Sequence, residues 1–148
     1  MKTLEFSIDI TSDKKNVWDT MLQLDTYQQW AGEAWPNSSY EGEWKEGEEI
    51  RFIAPGQGGT LARIEELRLH EYLRAEHIAV INADGSEDRE SDTAKGWVGS
   101  EESYTFTGAN GKTRVKVEIK TNPAWEKMFN DDWPRALKKL KEVCEKGG

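Results

Sequence analysis

The sequence is poor in the residues that build disulfides and metal sites. Its 148 residues include one cysteine, Cys144, and two histidines, His70 and His77. A single thiol excludes an internal disulfide, and such thiol-poor sequences are typical of cytoplasmic proteins. The three residues do not have the spacing of zinc ligands. We therefore expect no metal site and no cofactor, and we interpret Cys144 as a packing residue.

The chain also lacks an excess of positive charge and any long apolar run. Twenty Lys and Arg residues stand against twenty-eight Asp and Glu residues, which gives a net charge of −8. Nucleic-acid phosphates and anionic lipid headgroups would repel such a chain, so we expect neither as a partner. No apolar run approaches the roughly 20 residues that span a bilayer, and residues 1–10 do not resemble a signal peptide. These absences predict a cytoplasmic protein without a membrane span.

Aromatic residues, in contrast, are abundant. The chain contains 7 Trp, 4 Tyr and 4 Phe, and each ring can bury roughly 150–250 Å². Its length suits one domain that is large enough for a hydrophobic core. We therefore predict a single domain over residues 1–148, with more tryptophan than a core of this size needs.

The N-terminal part predicts one strand and two short helices. Residues 3–10 alternate between apolar and polar, which is typical of a strand with one buried face. Residues 11–13 offer capping oxygens to a first helix. Asp25 and Gln28 predict a capping box that opens a second helix carrying Tyr27 and Trp30. We interpret residues 31–37, which contain glycine and proline, as a loop.

The middle of the chain predicts an antiparallel sheet. The alternating segments predict strands at residues 39–44, 50–54, 60–67 and 72–81, with turns at 45–48 and 55–59. The central register of the hairpin between residues 60 and 81 is ambiguous. Residues 82–96 contain almost nothing apolar, and a loop this long is usually either disordered or functional. Its acidic run 87–92 is interpreted as a solvated loop, with a mobile lid as the alternative.

The last hairpin has a defined register. Asn110-Gly111 is a strong two-residue turn signal, and counting outwards from it gives the predicted pairs Ala109–Lys112, Phe106–Val115, Tyr104–Val117 and Glu102–Ile119. One face of this hairpin is then apolar and the other charged, as a correct register requires. Glu102 is consequently predicted to point to the apolar side.

The C-terminal part predicts a long amphipathic helix. Asn122-Pro123 supplies a cap and a proline suited to a first turn. Pro134 removes the backbone hydrogen bond to Asn130, which predicts a kink or break at residues 130–132. The helix then presents one apolar stripe, formed by Trp133, Ala136, Leu137, Leu140, Val143 and Cys144.

The order of elements is accompanied by scattered aromatic and glycine positions, namely Val17-Trp18, Trp30, Gly42–Gly47, Trp97 and Trp133–Leu140. With these residues the chain resembles the SRPBCC superfamily, which includes the START lipid-transfer domains and the birch-pollen-allergen fold. Within the superfamily the chain looks most like the branch named after activators of the heat-shock chaperone ATPase. The resemblance implies an α+β helix-grip fold, in which a curved antiparallel sheet of about six to seven strands surrounds a long C-terminal helix. It also implies a cavity between sheet and helix.

Two polar residues are the sharpest functional candidates, and each has two interpretations. Glu102 is either a polar anchor or acid/base group inside the cavity, or a carboxylate near the cavity mouth that is solvated or paired with Arg or Lys. His77 is either a ligand-binding residue or a satisfied structural histidine. Apolar pockets with few polar groups are the usual composition of a binding site. The aromatic residues predicted on strands that line this pocket are Tyr40, Trp44, Phe52, Trp97 and Tyr104. The predicted ligand-binding residues are these five together with His77, Glu102, Trp133 and Leu137.

These candidates leave three functions open. A binding protein for a small apolar or amphipathic molecule uses the predicted cavity and needs no catalytic set. An enzyme resembling the cyclases of the superfamily would use Glu102 or His77 as a general base. A regulator of a chaperone follows from the resemblance alone. Because stimulating members of that branch carry an additional domain, for which this chain has no room, we expect no full activator role.

Overall fold

The computed structural model describes residues 1–54 and 58–147. Its strands are β1 (Lys2–Ile10), β2 (Ser39–Glu41), β3 (Glu49–Ala54), β4 (Gly58–Arg68), β5 (Tyr72–Ile81), β6 (Glu87–Asp88), β7 (Glu101–Ala109) and β8 (Lys112–Thr121). Its helices are α1 (Lys14–Leu22), α2 (Leu24–Ala34), α3 (Asp92–Trp97) and α4 (Glu126–Gly147), the last preceded by a 3-10 turn at Pro123–Trp125. Residues 55–57 of the predicted turn at 55–59 lie outside the described residues.

The strands form one curved antiparallel sheet against which the helices pack. Its order is β1-β8-β7-β5-β4-β3-β2, and the two-residue strand β6 pairs with β5. Helix α4 packs against α1, α2 and β1, and its apolar stripe joins the inner face of the sheet in one core. The predicted α+β helix-grip fold is confirmed. The eighth strand is the short β6, which the sequence did not predict.

The register of the last hairpin agrees with the sequence prediction at every pair that was named. Phe106 lies opposite Val115, Tyr104 opposite Val117, and Glu102 opposite Ile119. Val115, Val117 and Ile119 are fully buried, because their face of the strand meets the helices. Glu102 therefore projects from the same face as these apolar residues, as predicted.

Two irregularities interrupt the β4–β5 pair, whose register the sequence left ambiguous. Leu61 pairs with Ala79, but the next residue, Ala62, pairs with His77, so Ile78 is an extra residue on β5. A second shift leaves one extra residue on β4 between Ile64 and Glu66. A bulge of this kind reverses which side chains face which side of the sheet. The Ile78 bulge decides the composition of the cavity wall described below.

The face of β5 changes at that bulge. Before it, Leu73, Ala75 and His77 point to the main core. After it, Ala79 and Ile81 belong instead to a separate apolar cluster that also contains Leu61, Ile53 and Ile78. Val80, which follows the bulge, consequently takes the inner side together with Thr60, its partner on β4.

Helix α4 runs without interruption through Pro134, so the predicted break at residues 130–132 is wrong. The buried residues Phe129 and Trp133 precede the proline, and Ala136, Leu137 and Leu140 follow it. Burial on both sides holds the helix together although one backbone hydrogen bond is missing. Asn122 caps the preceding 3-10 turn as expected, since its side chain accepts from the backbone of Ala124 at 2.9 Å.

The second helix begins and ends differently from the prediction. Its N-cap is Gln23, which makes no side-chain capping bond, and Asp25 lies inside the first turn. The predicted capping box is therefore wrong. The helix also continues to Ala34, so residues 31–34 are helical rather than part of a loop. Burial of Ala31 and Ala34 stabilises this last turn and outweighs the weak helix propensity of Gly32.

Strand β2 is shorter than predicted and ends at Glu41. Gly42 has a φ of 125°, a conformation outside the strand region that glycine adopts without strain. A side chain at this position would meet the backbone of Glu49. Trp44 therefore lies beyond the strand, and its predicted strand position is wrong.

The segment 82–96, predicted as one long loop that is either disordered or functional, contains secondary structure. It contains β6 and most of α3. Ser91 caps α3 by accepting from the backbone of Ala94, and Asp88 accepts from the backbone of Glu90 and Ser91 at 3.0 Å and 3.1 Å. Local hydrogen bonds of this kind order a polar segment without an apolar core. Trp97, predicted on a strand, lies instead at the end of α3.

Candidate functional site

A cavity of about 440 Å³ lies between the inner face of the sheet and the helices. Six tryptophans line it, namely Trp30, Trp35, Trp44, Trp97, Trp125 and Trp133. Four further aromatic residues complete the ring-rich wall, namely Tyr27, Phe52, Tyr104 and Phe129. The surplus of tryptophan noted in the sequence is thus concentrated around this space.

Four polar side chains of the wall, those of Thr60, His77, Glu102 and Tyr104, form one connected network centred on Glu102. Its Oε1 lies 3.0 Å from Nε2 of His77, and its Oε2 accepts from the Tyr104 hydroxyl at 2.8 Å. The side chains of His77 and Glu102 are 2% and 16% exposed. Glu102 is therefore neither at a solvated mouth nor paired with Lys or Arg, the two alternatives that the sequence left open.

The other nitrogen of His77 is also engaged. Its Nδ1 lies 2.9 Å from the Thr60 hydroxyl, which accepts from Trp97 Nε1 at 2.6 Å and lies 3.1 Å from the carbonyl of Ala79. The single hydroxyl proton of Thr60 goes either to that carbonyl or to Nδ1. When Thr60 donates to Nδ1, a neutral His77 ring carries its proton on Nε2 and donates it to Glu102; when Thr60 donates to Ala79, the bond between Thr60 and His77 requires a proton on Nδ1. The network thus holds His77 in one orientation.

Electrostatics keep this network charged. Burial by itself would raise the pKa of Glu102, but the His77 ring and the hydrogen bonds from His77 and Tyr104 outweigh it, so that the pKa lies below its usual value. The carboxyl group is consequently ionised at neutral pH. Burial and the nearby charge of Glu102 raise the pKa of Tyr104 well above its usual value. Tyr104 therefore stays protonated and continues to donate.

The aromatic wall is held in place by the C-terminal end of α1. The last carbonyls of a helix have no partner within it, and here aromatic donors supply one. Trp30 Nε1 donates to the carbonyl of Met21 at 3.1 Å, and Trp44 Nε1 donates to that of Leu22 at 3.1 Å. The Tyr40 hydroxyl donates to the same carbonyl of Leu22. These bonds orient the rings and so fix the shape of the cavity.

One polar atom of the wall has no partner. Trp133 Nε1 is buried and makes no hydrogen bond within the described residues. Its ring contacts Trp30, Trp35 and Tyr104 at centroid distances of 6.1 Å, 5.3 Å and 6.0 Å. An unpaired buried donor costs roughly 1–3 kcal/mol. The packing of Trp133 against these three rings therefore offsets the free-energy cost of its unpaired N–H group.

The structure brings together seven of the nine residues predicted to bind a ligand. Those that line the cavity are Trp44, Phe52, His77, Trp97, Glu102, Tyr104 and Trp133. Tyr40 does not line it but braces the wall through Leu22 and through its ring contact with Trp44. Leu137 is 2% exposed and packs in the core behind the wall. The binding roles of the seven remain predictions.

Sequence reasoning missed the other half of the wall. Tyr27, Trp30 and Trp35 come from α2 and the residue after it, while Trp125 and Phe129 precede the predicted stripe of α4. The one available signal was the excess of tryptophan over what a core requires. Cys144, in contrast, packs as predicted: it is 1% exposed, and burial raises the pKa of its thiol to about 11.

Two further features bound the chemistry of the described part of the chain. No cluster of three or more His, Cys, Asp or Glu side chains that could hold a metal ion occurs among the residues at 1–54 and 58–147. Within the same ranges, no helix is both long and apolar enough to cross a membrane.

A curved antiparallel sheet around a C-terminal helix defines the helix-grip class, and this fold places the chain in the SRPBCC superfamily. The family model described as "Activator of Hsp90 ATPase homolog 1-like protein" matches residues 12–145, and the chain belongs to this family. A comparison with curated proteins finds no match.

Solved structures share the fold at low sequence identity. The Aha1 dimer from Colwellia psychrerythraea has a TM-score of 0.73 at 19% identity, covering 98% of this chain and 97% of that one. Protein MLL2253 from Mesorhizobium loti has a TM-score of 0.77 at 12% identity and 99% coverage of both chains. DynU16, from the dynemicin biosynthetic locus, has a TM-score of 0.74 at 12% identity, covering 99% of this chain and 48% of that one. Identities this low bear on the fold alone.

Proposed function

We propose that this protein binds a small apolar or amphipathic molecule in the cavity between the sheet and α4. The observation that supports the proposal most directly is the wall itself, in which ten aromatic side chains surround about 440 Å³. Binding sites for small molecules are cavities of this size, roughly 300–1,000 Å³, lined by apolar and aromatic residues with a few polar groups.

The polar network supports the same proposal. A well-packed core has few voids larger than a water molecule, so an apolar space of this size needs an occupant or a compensating gain. Glu102 and His77 place one charged polar group in an otherwise apolar wall. A group of this kind orients a ligand and discriminates between ligands, because an unmatched polar end would lose its hydrogen bonds to water.

Ligand binding predicts a gain in stability. A molecule that binds only the folded state at 100 times its Kd stabilises it by about 2.7 kcal/mol. We expect a screen of apolar and amphipathic molecules to find ligands that raise the melting temperature and change the fluorescence of the wall tryptophans. Native mass spectrometry of freshly purified protein would name the class of any ligand retained from the cell.

The matched control for this screen is a Val80→Ala variant, which keeps the cavity open while removing only part of one wall residue. It should show the same ligands with similar shifts. If no molecule in a broad apolar and amphipathic set changes either the fluorescence or the melting temperature, the proposal fails.

An enzyme using the same cavity has less support. A general base works best when its pKa lies near the operating pH, whereas the pKa of Glu102 lies below its usual value because His77 and Tyr104 stabilise the carboxylate. Both nitrogens of His77 are engaged within the protein. The groups that would perform acid–base chemistry are thus committed to one another, and binding is the function that the geometry supports best.

Contact with a chaperone ATPase is the second candidate, and family membership is the observation that favours it. The match over residues 12–145 includes both the sheet and α4. A protein with this role would contact the chaperone through its surface, so the role is compatible with an occupied cavity.

An ATPase assay separates this second candidate from the first. We expect the purified protein to bind its cognate heat-shock chaperone and to change the ATPase rate, with the Glu102→Gln variant acting like the wild type because Glu102 is buried. Absence of both binding and rate change would remove this role and leave the cavity proposal intact.

A further inference from the structure

The described cavity wall contains a negative side chain and no Lys or Arg, and this bears on the kind of ligand that the proposed function requires. Among the described residues that line the cavity, none is Lys or Arg, and Glu102 is the one carboxylate. The negative faces of the surrounding aromatic rings add to this polarity, since they attract cations and polarised hydrogens. The described wall therefore offers negative potential without a Lys or Arg side chain to balance it.

Most strong donors of the wall are already committed to the protein. Four indole N–H groups donate to Met21, Asp132, Leu22 and Thr60, and the Tyr104 hydroxyl donates to Glu102. Of the other two indole N–H groups, that of Trp133 is buried without a partner, and that of Trp125 makes no hydrogen bond among the described residues. A ligand with an anionic end would thus find neutral donors but no Lys or Arg among the described lining residues to balance its charge.

Glu102, in contrast, keeps acceptor capacity. A carboxylate has about four lone-pair sites, and Glu102 uses one on each oxygen, for His77 and for Tyr104. Tyr27 also lines the cavity and lies close enough to feel the charge of Glu102, which together with burial raises its pKa. No side-chain hydrogen bond of the described residues involves the Tyr27 hydroxyl. A ligand's polar end can thus donate to Glu102 and contact Tyr27.

We infer that the cavity selects apolar molecules whose polar end is a hydrogen-bond donor, a hydroxyl or a protonated amine, and rejects those that end in a carboxylate. This inference rests on the proposed function and specifies its ligand. Donor ends complete the coordination of Glu102. An anionic end places two like charges in one largely apolar space, which is repulsive, and no Lys or Arg of the described lining balances the second charge.

The test compares three molecules with the same alkyl chain, namely 1-decanol, decylamine and decanoate, at neutral pH and below their aggregation concentrations. Tryptophan fluorescence titration of the whole protein gives each Kd. We expect decanol and decylamine to bind at least about tenfold more tightly than decanoate, a difference of about 1.4 kcal/mol. Equal affinities, or tighter binding of decanoate, would overturn the inference while leaving the proposed function in place. If none of the three binds although the broad screen finds ligands, the inference fails alone; if the broad screen is negative as well, the proposed function fails with it.

Two substitutions test whether Glu102 is the source of the preference between these ligands. In Glu102→Gln the preference for decylamine over decanoate should shrink by at least about tenfold, because the charge is gone while the side-chain shape is kept. Glu101→Gln is the matched control, since Glu101 is the adjacent residue on β7 and pairs with Arg74 outside the cavity. It should leave all three affinities unchanged. If Glu102→Gln keeps the full preference, Glu102 is not its source and the inference is wrong; should that variant not fold, the wild-type series decides alone.

Discussion

A His77→Leu variant should lose at least about 1–3 kcal/mol of its free energy of unfolding at pH 7, the cost of leaving the buried carboxylate of Glu102 without one of its two hydrogen-bond partners. Water has little access to the two side chains, since those of His77 and Glu102 are 2% and 16% exposed. Leu is close to His in volume, so the loss reports on polarity and not on a void. Urea unfolding of the wild type and the variant at equal temperature measures the difference.

Two controls make this result specific. In the double variant His77→Leu with Glu102→Leu most of the lost stability should return, because replacing both members of a buried pair by apolar residues is often neutral. Arg74→Leu removes an ion pair with Glu101 whose side chains are 38% and 30% exposed, and should cost at most about 1 kcal/mol. If the double variant is as unstable as the sum of the two single variants, the two side chains are not coupled as described.

The loss should also depend on pH in one direction. Glu102 has a lowered pKa in the folded wild type, so its contribution to stability is present above the usual pKa and is lost as the pH falls through the folded value. In the variant without His77, burial is the main influence on the pKa of Glu102 and raises it. The free energy of unfolding of the variant therefore increases as the pH falls. The difference in stability between wild type and variant should therefore be largest at neutral pH and shrink towards pH 4.

A Val80→Trp variant should weaken ligand binding by at least about tenfold, which corresponds to about 1.4 kcal/mol. Val80 faces the cavity beside Thr60, and an indole there occupies space that a ligand would use. Because the new ring enters an existing void, the fold should tolerate it better than a well-packed core tolerates overfilling. Isothermal titration calorimetry measures the affinity without interference from the added fluorophore.

The Val80→Ala variant is the control for this experiment. Alanine leaves the cavity open, so ligand binding should persist in Val80→Ala and be weakened in Val80→Trp. Equal affinities of the two variants for the same ligand would show that the ligand binds elsewhere on the protein.

The parts of the fold that the sequence predicted correctly are those where a local signal and the packing agree. Asn110-Gly111 fixes a turn, and the alternation on both flanking strands then selects a single register, which β7 and β8 adopt. The errors fall where tertiary packing or a polar network decides. Ala34 is helical because it is buried, and residues 82–96 are ordered by side-chain to backbone bonds around Asp88.

The candidate site divides in the same way. The inward direction of Glu102 followed from the register of the hairpin, whereas its partner could not be derived. His77 and Val80 are three residues apart, and strand faces alternate with a period of two, so a regular strand would place only one of them on the inner face. Both face inward because Ile78 is an extra residue on β5, which only the pairing of β4 with β5 reveals. The tryptophans of the wall belong to four separate segments, and no local pattern relates them.

The extra residue at Ile78 lets one strand serve two apolar clusters. His77 and Val80 face the cavity on either side of it, while Ile78, Ala79 and Ile81 pack in the separate cluster with Leu61. Deleting Ile78 would make the pairing of Leu61 with Ala79 and of Ala62 with His77 continuous, and regular alternation would then give each of these residues the face it already has. Ile78 is therefore a point at which β5 can lose one residue without turning its ligand-facing side chains away from the cavity.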